Sequence, residues 1–376
     1  MCSDNIIKKI ALSFIPGAGP TVIRRLVSYC GGIDEVFESS YEKFTKVQGI
    51  GQHLAKKIIA GRNDAIERAK QEYEYIINND IEFISCFDKA YPNRLKQCDD
   101  APTVLYYRGA PAFNTQKILA VVGTRKPTRY SVDMCVSIMS ELIKRHKNIV
   151  VVSGLAYGVD ACSHKEALKN SIPTWAVLGH GLDLIYPKKH TSMANQIIEQ
   201  NGAVITEFQH KCYIDPSNFV KRNRIIAGLA DAVLIIDSGR KGGSMITADL
   251  ANQYNRDVFA VPGLVNRKGG NGCNLLIKSH RANLVESYKD IEYITGWDAD
   301  ALTKSNAEPK MSIPENLSDN EIAVIEILKE EQYVDLDYLT KNSGLNTSAV
   351  SLVLLELEFK NIVRSLPGKI FSLIKN

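Results

Sequence analysis

The chain has 376 residues, of which 45% are hydrophobic and 23% charged, and its formal net charge is +4. At roughly 100–200 residues per domain this length predicts two or three domains, and the composition allows a sizeable buried core. The small charge excludes overall basicity as an argument for a nucleic-acid partner, so any anion-binding site must come from local clustering of cations.

The eight cysteines are scattered along the chain. None forms a C-x-x-C pair, and none has zinc-finger spacing to a histidine, so we expect a reducing compartment. No uninterrupted apolar run approaches the ~20 residues of a membrane span, and the N-terminus has too short an apolar core for a secretory signal. We therefore expect a cytoplasmic protein that does not enter a membrane.

Residues 1–79 have a helical pattern with two similar turns, IPGAGP at residues 15–20 and VQGIG at residues 47–51. Each is an apolar residue and a Gly-x-Gly turn ahead of a segment with helical periodicity, which resembles a helix-hairpin-helix unit. Such turns expose backbone N–H groups at a helix N-terminus and can hold a DNA phosphate. They can equally be compact turns in a small helical bundle, and both interpretations stay open.

Residues 80–296 alternate short β-rich segments with segments of helix length. Six of the short segments are apolar and β-branched without polar alternation, which predicts strands buried on both faces. They are KILAVVG, IVVVSG, TWAVLG, AVITEF, AVLIID and DVFAVPG. The βαβ pattern predicts an α/β fold with a doubly wound parallel sheet, and the segment leading into it contributes one or two further strands.

The chain becomes polar over residues 297–316, which predicts a linker. Residues 317–376 then resume a periodic pattern, opening with Ser318 and Glu321 in the arrangement of a capping box. Three helices and a hairpin with residues 367 and 368 at its tip make a winged-helix-like domain. The helix TSAVSLVLLELEFKN is poor in the cations that a DNA recognition helix needs, so we expect it to contact protein or form a dimer.

Glycine-rich loops follow the predicted strands at their carboxyl ends, where open parallel sheets bind ligands. Glycine lets the backbone approach an oxygen-rich ligand, and helix N-termini beside it direct N–H groups and partial positive charge at anions. We expect a phosphate site there, on the loops that contain Gly123, Thr124, Arg125, Ser153, Gly154, Gly242, Gly243 and Ser244.

Cations and aromatic side chains interleave on the same loops and on the segment FVKRNRIIAGLA. This mixture suits a non-specific single strand, because cations follow its backbone and each stacked base contributes ~1–3 kcal/mol. The alternative is core packing for each aromatic ring, and a surface salt bridge for Arg222 and Arg224. The residues expected to bind the strand are Arg125, Lys188, Phe219, Lys221, Arg222 and Arg224. Glutamate at both 221 and 222 should abolish oligo-dT binding and leave the fold intact.

Other chemistries find less support in the sequence. The first strand is not followed by G-x-G-x-x-G with an acidic residue about 20 positions on, and no P-loop is present, so no cofactor is expected. Asp160 and His164 are four residues apart, but a metal needs more ligands, and we expect Asp160 to be an N-cap with His164 as its neighbour. Glu207 and Asp249 are carboxylates near the loops that nothing pairs for catalysis.

Several segments resemble the signature series of the DNA processing protein A family (DprA, also Smf), over about residues 81–294. They are GLAYGVDACSHKEAL, GLDLIYPKKH, FVKRNRIIAGLADAVLIID, GGSMITA, DVFAVPG and GCNLLI. The resemblance implies an extended Rossmann-like fold that binds and protects single-stranded DNA without sequence preference. It also implies a homodimer that loads the RecA recombinase onto incoming DNA in natural transformation.

The resemblance assigns family motifs to particular residues. The Gly-Ser/Thr-Arg motif falls on Gly123, Thr124 and Arg125, and the Ser-Gly loop on Ser153 and Gly154. The Phe-x-x-Arg-Asn-Arg motif falls on Phe219, Arg222, Asn223 and Arg224. The Gly-Ser-x-x-Thr turn falls on Gly243, Ser244 and Thr247.

The rival hypothesis is a nucleotide-binding or nucleotide-hydrolysing Rossmann protein. The segment GGSMITAD is similar to the Pro-Gly-Gly-x-Gly-Thr-x-x-Glu turn of nucleotide phosphoribohydrolases. The proline, the third glycine and the glutamate are missing, and Asp249 stands where the glutamate would be. We therefore expect a binding protein and not an enzyme.

Overall fold

The computed structural model describes residues 2–265, 270–298, 317–331, 333–360, 362–366 and 370–373. The chain forms two compact units, residues 1–297 and residues 298–376. The expected boundary after residue 79 falls inside the first unit and stays a prediction. Of the expected linker, residues 299–316 lie outside the described residues.

Helices form the N-terminal part of the first unit, as predicted. They are α1 (Cys2–Leu12), α2 (Pro20–Cys30), α3 (Ile33–Glu38), α4 (Tyr41–Thr45) and α5 (Gln52–Asn78). The two Gly-x-Gly turns precede α2 and α5, whose N-caps are Gly19 and Gly51. Buried side chains such as Leu26 and Ile58 share one apolar cluster with Val204 of the sheet, so these helices pack on one face of the sheet.

Within the described residues, one sheet of nine strands forms the centre of the first unit. The strands are β1 (Glu82–Ser85), β2 (Val104–Gly109), β3 (Lys117–Gly123), β4 (Ile149–Ser153), β5 (Thr174–Val177), β6 (Ala203–Thr206), β7 (Ala232–Ile236), β8 (Asp257–Ala260) and β9 (Asn283–Leu284). The six predicted strands are β3 to β8, and the leading segment supplies β1 and β2. Strand β9, which has only two residues, was not predicted from the sequence.

The sheet order is β1-β2-β6-β5-β4-β3-β7-β8-β9. Each neighbouring pair in the series β6-β5-β4-β3-β7-β8-β9 is parallel. Strand β2 is antiparallel to both β6 and β1. The connecting helices are α6 (Asn93–Lys96), α7 (Arg129–Arg145), α8 (Val159–Lys169), α9 (Thr191–Glu199), α10 (Pro216–Leu229), α11 (Gly243–Gln253), α12 (Asn271–Lys278) and α13 (Tyr288–Thr295), with a 3-10 turn at Lys188–His190.

Helices cover both faces of the parallel strands, as a doubly wound sheet requires. Along β3, Ile118 and Val122 pack into the cluster that contains Ile225 of α10. The alternate residue Leu119 packs into the cluster that contains Ile138 of α7. Buried side chains on both faces explain why the strand sequences lack polar alternation.

The direction in which successive strands are added to the sheet changes at β3. Strand β4 lies on one side of β3 and β7 on the other, so the connections leaving β3 and β7 diverge at their carboxyl ends. In open α/β sheets such a topological switch point leaves a crevice in which ligands bind.

The second unit has the three helices and the hairpin of the predicted winged helix. These elements are α14 (Asp319–Glu330), β10 (Val334–Asp335), α15 (Leu336–Ser343), α16 (Thr347–Phe359), β11 (Val363–Leu366) and β12 (Ile370–Leu373). Ser318 caps α14 in the predicted capping box, with the Glu321 carboxylate accepting from the Ser318 backbone N–H at 2.9 Å. The expected hairpin tip, residues 367 and 368, lies outside the described residues.

Candidate functional site

A cavity of about 700 Å³ occupies the switch point of the sheet. Its walls are the loop after β3, the loop from β7 into α11 and the amino-terminal half of α10. We call it the switch-point cavity. Most of the expected site residues line it: Gly123, Thr124, Arg125, Phe219, Arg222, Asn223, Gly242, Gly243, Ser244 and Thr247.

Arg222 forms part of the floor of the switch-point cavity and is only 4% exposed. Its Nη1 donates to the carbonyl oxygen of Gly154 at 2.8 Å and also to that of Val177. Burial lowers the pKa of the guanidinium to about 10, while the carboxylate of Asp160 opposes the shift. Arg222 therefore remains a cation at neutral pH and ties together the carboxyl ends of β4 and β5.

Asp160 also lines the cavity and is buried, and its carboxylate accepts from the backbone N–H groups of Gly154 at 3.2 Å and Ala156 at 3.3 Å. Burial raises its pKa, and the positive charge of Arg222 acts against this. The expectation that Asp160 caps α8 is wrong, because Gly158 is the N-cap residue. Gly158 has φ +83, and a Cβ there would lie 2.2 Å from the carbonyl oxygen of Thr124.

Ser153 and Gly154 lie under the cavity and do not line it. Ser153 is fully buried, and its Oγ donates to the carbonyl oxygen of Val121 at 2.6 Å. A Cβ at Gly154 would lie 2.6 Å from the Arg222 guanidinium, which explains why the loop needs glycine there. Gly154 therefore supports the arginine, and any contact of Ser153 or Gly154 with DNA stays a prediction.

Three expected cations lie away from the cavity lining. Lys188 and Lys221 are exposed. Arg224 points to the other side of α10, where it forms an ion pair with Glu207 and donates to the carbonyl oxygen of Asp100. For Arg224 the structure thus shows the salt bridge that the sequence left open as an alternative.

An aromatic ring lies between two cations at the cavity wall. The ring centroid of Phe219 is 6.0 Å from the guanidinium carbon of Arg125 and 5.9 Å from that of Arg222. Tyr186 adds a second ring, with its centroid 5.8 Å from that of Phe219. Arg125 is exposed, so the wall presents one accessible cation and a partly buried ring to the solvent.

The opposite wall is the start of α11. Gly242 is its N-cap residue, and the first turn contains Gly243 and Ser244. The first N–H groups of a helix have no intrahelical partner and carry partial positive charge, so this end favours an anion. The side-chain amide of Asn223 donates to the carbonyl oxygen of Gly243 at 3.4 Å, which holds α10 against α11.

One cation in the lining of the switch-point cavity, Lys126, was not predicted from the sequence. Lys126 follows Arg125 directly, is exposed and lines the switch-point cavity. Its position next to the Gly-Thr-Arg loop was the available signal. Ile214 and Pro216, which also line the cavity, carry no chemical signal in the sequence.

The carboxylates considered for catalysis are engaged elsewhere. Asp249 pairs with Arg281 at 2.7 Å and does not line the cavity. Burial raises the pKa of Glu207, which faces Arg224. His164 is fully buried with its Nδ1 2.7 Å from the Thr174 hydroxyl. No group of three or more His, Cys, Asp or Glu side chains in the described ranges could hold a metal ion.

The described residues contain no helix that is both long and apolar enough to cross a membrane. The cysteines from Cys30 to Cys273 are all free.

Fold and cavity together define an open-sheet α/β protein with a candidate anion-binding site at its switch point and a winged helix as a separate unit. Two family models match the chain: DNA recombination-mediator protein A over residues 82–295, and the DprA winged helix domain over residues 308–369. The chain therefore belongs to the DNA recombination-mediator protein A (DprA/Smf) family, a family of DNA-processing proteins.

Relatives match most of the chain. Protein Smf of Synechocystis is 30% identical over 96% of this chain and 96% of its own length. The X-ray structure of DprA from Streptococcus pneumoniae superposes with a TM-score of 0.64 at 28% identity, covering 76% of this chain and 97% of that one. DprA from Helicobacter pylori, whose structure is described as showing a single-stranded DNA binding mode, has a TM-score of 0.51 at 29% identity and covers 58% of this chain and 96% of that one.

Proposed function

We propose that the protein binds single-stranded DNA without sequence preference in the switch-point cavity, protects it and loads the RecA recombinase onto it. The observation that carries the proposal is one cavity with exposed cations on one rim, an aromatic ring beside them and a helix N-terminus opposite. Arg125 and Lys126 supply the charge, Phe219 supplies the ring and α11 supplies the N–H groups.

The phosphate part of the proposal rests on how these groups are held. Arg125 and Lys126 are exposed, so both charges are accessible to a ligand backbone. The first turn of α11 is fixed, because Asn223 links it to α10 and the Ser244 hydroxyl donates to Ser238 at 2.7 Å. A fixed anion site opposite two exposed cations suits a chain of phosphates better than a single one.

The base part of the proposal rests on Phe219 and Tyr186. Every base has a π-face, so stacking on these rings tolerates any sequence. The lining of the described cavity offers one buried carboxylate, Asp160, whose Oδ2 already accepts from two backbone N–H groups. We therefore propose a binding role and no hydrolytic step.

The remaining parts of the proposal concern assembly. Leu352, Leu355 and Phe359 are exposed on one face of α16, which supports a protein contact for the winged helix. Exposed Leu284 on β9 and Tyr293 on α13 support a homodimer formed at that edge of the sheet. Free cysteines agree with the reducing cytoplasm, where RecA acts.

The salt dependence of binding tests the proposal. For a single strand, log affinity should fall linearly with log salt, with a slope of about −0.7 for each phosphate contact. We expect a fluorescent oligo-dT to show a slope that corresponds to several contacts. A flat response, together with tight binding of a nucleoside monophosphate, would instead favour the nucleotide-binding alternative.

A further inference from the structure

A second cavity, of about 360 Å³, lies between the N-terminal helices and the sheet. The turn between α1 and α2 forms one wall, and the loop after β6 and the start of β2 form the other. Arg68 of α5 lies at its side. Its volume falls within the ~300–1,000 Å³ of ordinary small-ligand sites. We call it the helix–sheet cavity.

The helix–sheet cavity lies on the same edge of the sheet as the switch-point cavity. It is lined by residues that follow the carboxyl end of β6, and β2 begins there because it runs antiparallel to β6. Three strand spacings separate β6 from β3 in the sheet order. At about 4.8 Å per spacing the two strand ends are roughly 14 Å apart, a distance that a few nucleotides span.

A planar cation is held at the side of this cavity. The guanidinium carbon of Arg68 lies 4.6 Å from the ring centroid of Phe14. Its Nη2 donates to the side-chain oxygen of Gln209 at 3.1 Å, so its orientation is fixed although the residue is exposed. Nucleobases stack on arginine planes as they do on aromatic rings.

A buried acceptor without a partner lies in the lining of the same cavity. Oε2 of Glu207 accepts from Arg224. Oε1 of Glu207 is buried, and no described residue donates a hydrogen bond to it. An unpaired buried acceptor is unfavourable, and a ligand N–H close to Glu207 would reduce that cost. Each of the four DNA bases carries such an N–H on its pairing edge, on an exocyclic amino group or a ring nitrogen.

We propose that the helix–sheet cavity holds one base of the single strand whose backbone occupies the switch-point cavity. The base packs against the Arg68 plane, with its N–H edge directed at the Glu207 side chain in the lining. The inference rests on the proposed function and extends it, because it makes the N-terminal helices part of the binding site.

The test separates base contacts from phosphate contacts by using two strands of equal length. One is a fluorescent dT12, and the other is an abasic 12-mer with the same phosphates and no bases. Arg68→Ala should weaken dT12 binding about fivefold or more, the lower end of ~1–3 kcal/mol per stacked base. The affinity for the abasic 12-mer should change less than about twofold, because most phosphate contacts lie outside the helix–sheet cavity. The matched control is Lys70→Ala, an exposed cation on the same helix outside the cavity.

The outcomes distinguish this inference from the proposed function. If Arg68→Ala weakens both strands equally, or matches Lys70→Ala on both, the base site is wrong. The double substitution Arg125→Ala and Lys126→Ala should weaken both strands, because it removes phosphate contacts. If that double variant leaves both affinities unchanged, the proposed function itself fails.

Discussion

The guanidinium of Arg222 lies against Gly154, with Nη1 donating to the glycine carbonyl oxygen at 2.8 Å. The same nitrogen also donates to the carbonyl oxygen of Val177, so one buried cation satisfies the ends of two neighbouring strands. An arginine used in this way shapes the cavity before any ligand arrives. The family motif thus contains one arginine that builds the floor and another, Arg224, that pairs with Glu207.

Arg222→Met is the direct test of that structural role. It removes a buried cation and leaves two carbonyl oxygens and the Asp160 carboxylate without their partner, so we expect a loss of about 3 kcal/mol in the free energy of unfolding. Urea denaturation measures it, with the exposed neighbour Lys221→Met expected to change stability by less than about 0.5 kcal/mol. Unchanged stability with lost DNA binding would instead make Arg222 a direct ligand.

The burial of Arg222 also changes the result expected when residues 221 and 222 are both replaced by glutamate. The native Arg222 is only 4% exposed. Glutamate at this position would therefore bury a second carboxylate beside Asp160. Such a variant should unfold, so its loss of binding would say nothing about phosphate contacts.

The cations on the rim, Arg125 and Lys126, should control affinity without affecting stability. Replacing both with alanine should lower oligo-dT affinity and reduce the magnitude of the salt slope by about 0.7 for each phosphate contact removed. Fluorescence anisotropy at several salt concentrations measures both quantities. Lys144→Ala with Lys169→Ala removes the same charge from exposed positions late in α7 and α8. An equal loss in this control would mean that net charge, and not the rim, governs binding.

Phe219 should contribute base stacking, with a contribution that depends on the ring. Phe219→Leu should weaken oligo-dT binding by about 1–3 kcal/mol, the range for one stacked base. Phe219→Tyr keeps the ring between Arg125 and Arg222 and should bind nearly as wild type does. Anisotropy titrations with dT12 and with an abasic 12-mer compare the variants. If leucine and tyrosine bind dT12 equally well, Phe219 only packs the cavity wall.

Local patterns were enough to predict the parallel sheet and its ligand edge. The segment KILAVVG became β3 over Lys117–Gly123, because an apolar β-branched run without alternation fits only a strand covered on both faces. The loops at Gly123 and Gly242 then had to share one edge, since parallel strands end together. This is why most of the expected residues meet in one cavity.

What could not be predicted was which way each cation points. Arg222 and Arg224 are two residues apart on α10, and a helix turns about 200° between them, so they face opposite sides. One meets the carbonyl oxygen of Gly154 and the other meets Glu207, partners 68 and 17 residues away in sequence. Pairing at such separations depends on the folded sheet, and residue type alone does not contain it.

The buried imidazole of His164 should make stability depend on pH. Burial lowers its pKa to about 3 from the ordinary 6.5, so the folded protein keeps it neutral while the unfolded chain takes up a proton below pH 6.5. Stability is therefore complete above that pH and falls towards pH 3, by at most about 1.4 kcal/mol for each pH unit. Urea denaturation at pH 7.5, 6 and 5 should show a shallower decline for His164→Leu than for wild type. The exposed His53→Gln should retain the wild-type dependence, and parallel curves for His164→Leu and wild type would contradict the assignment.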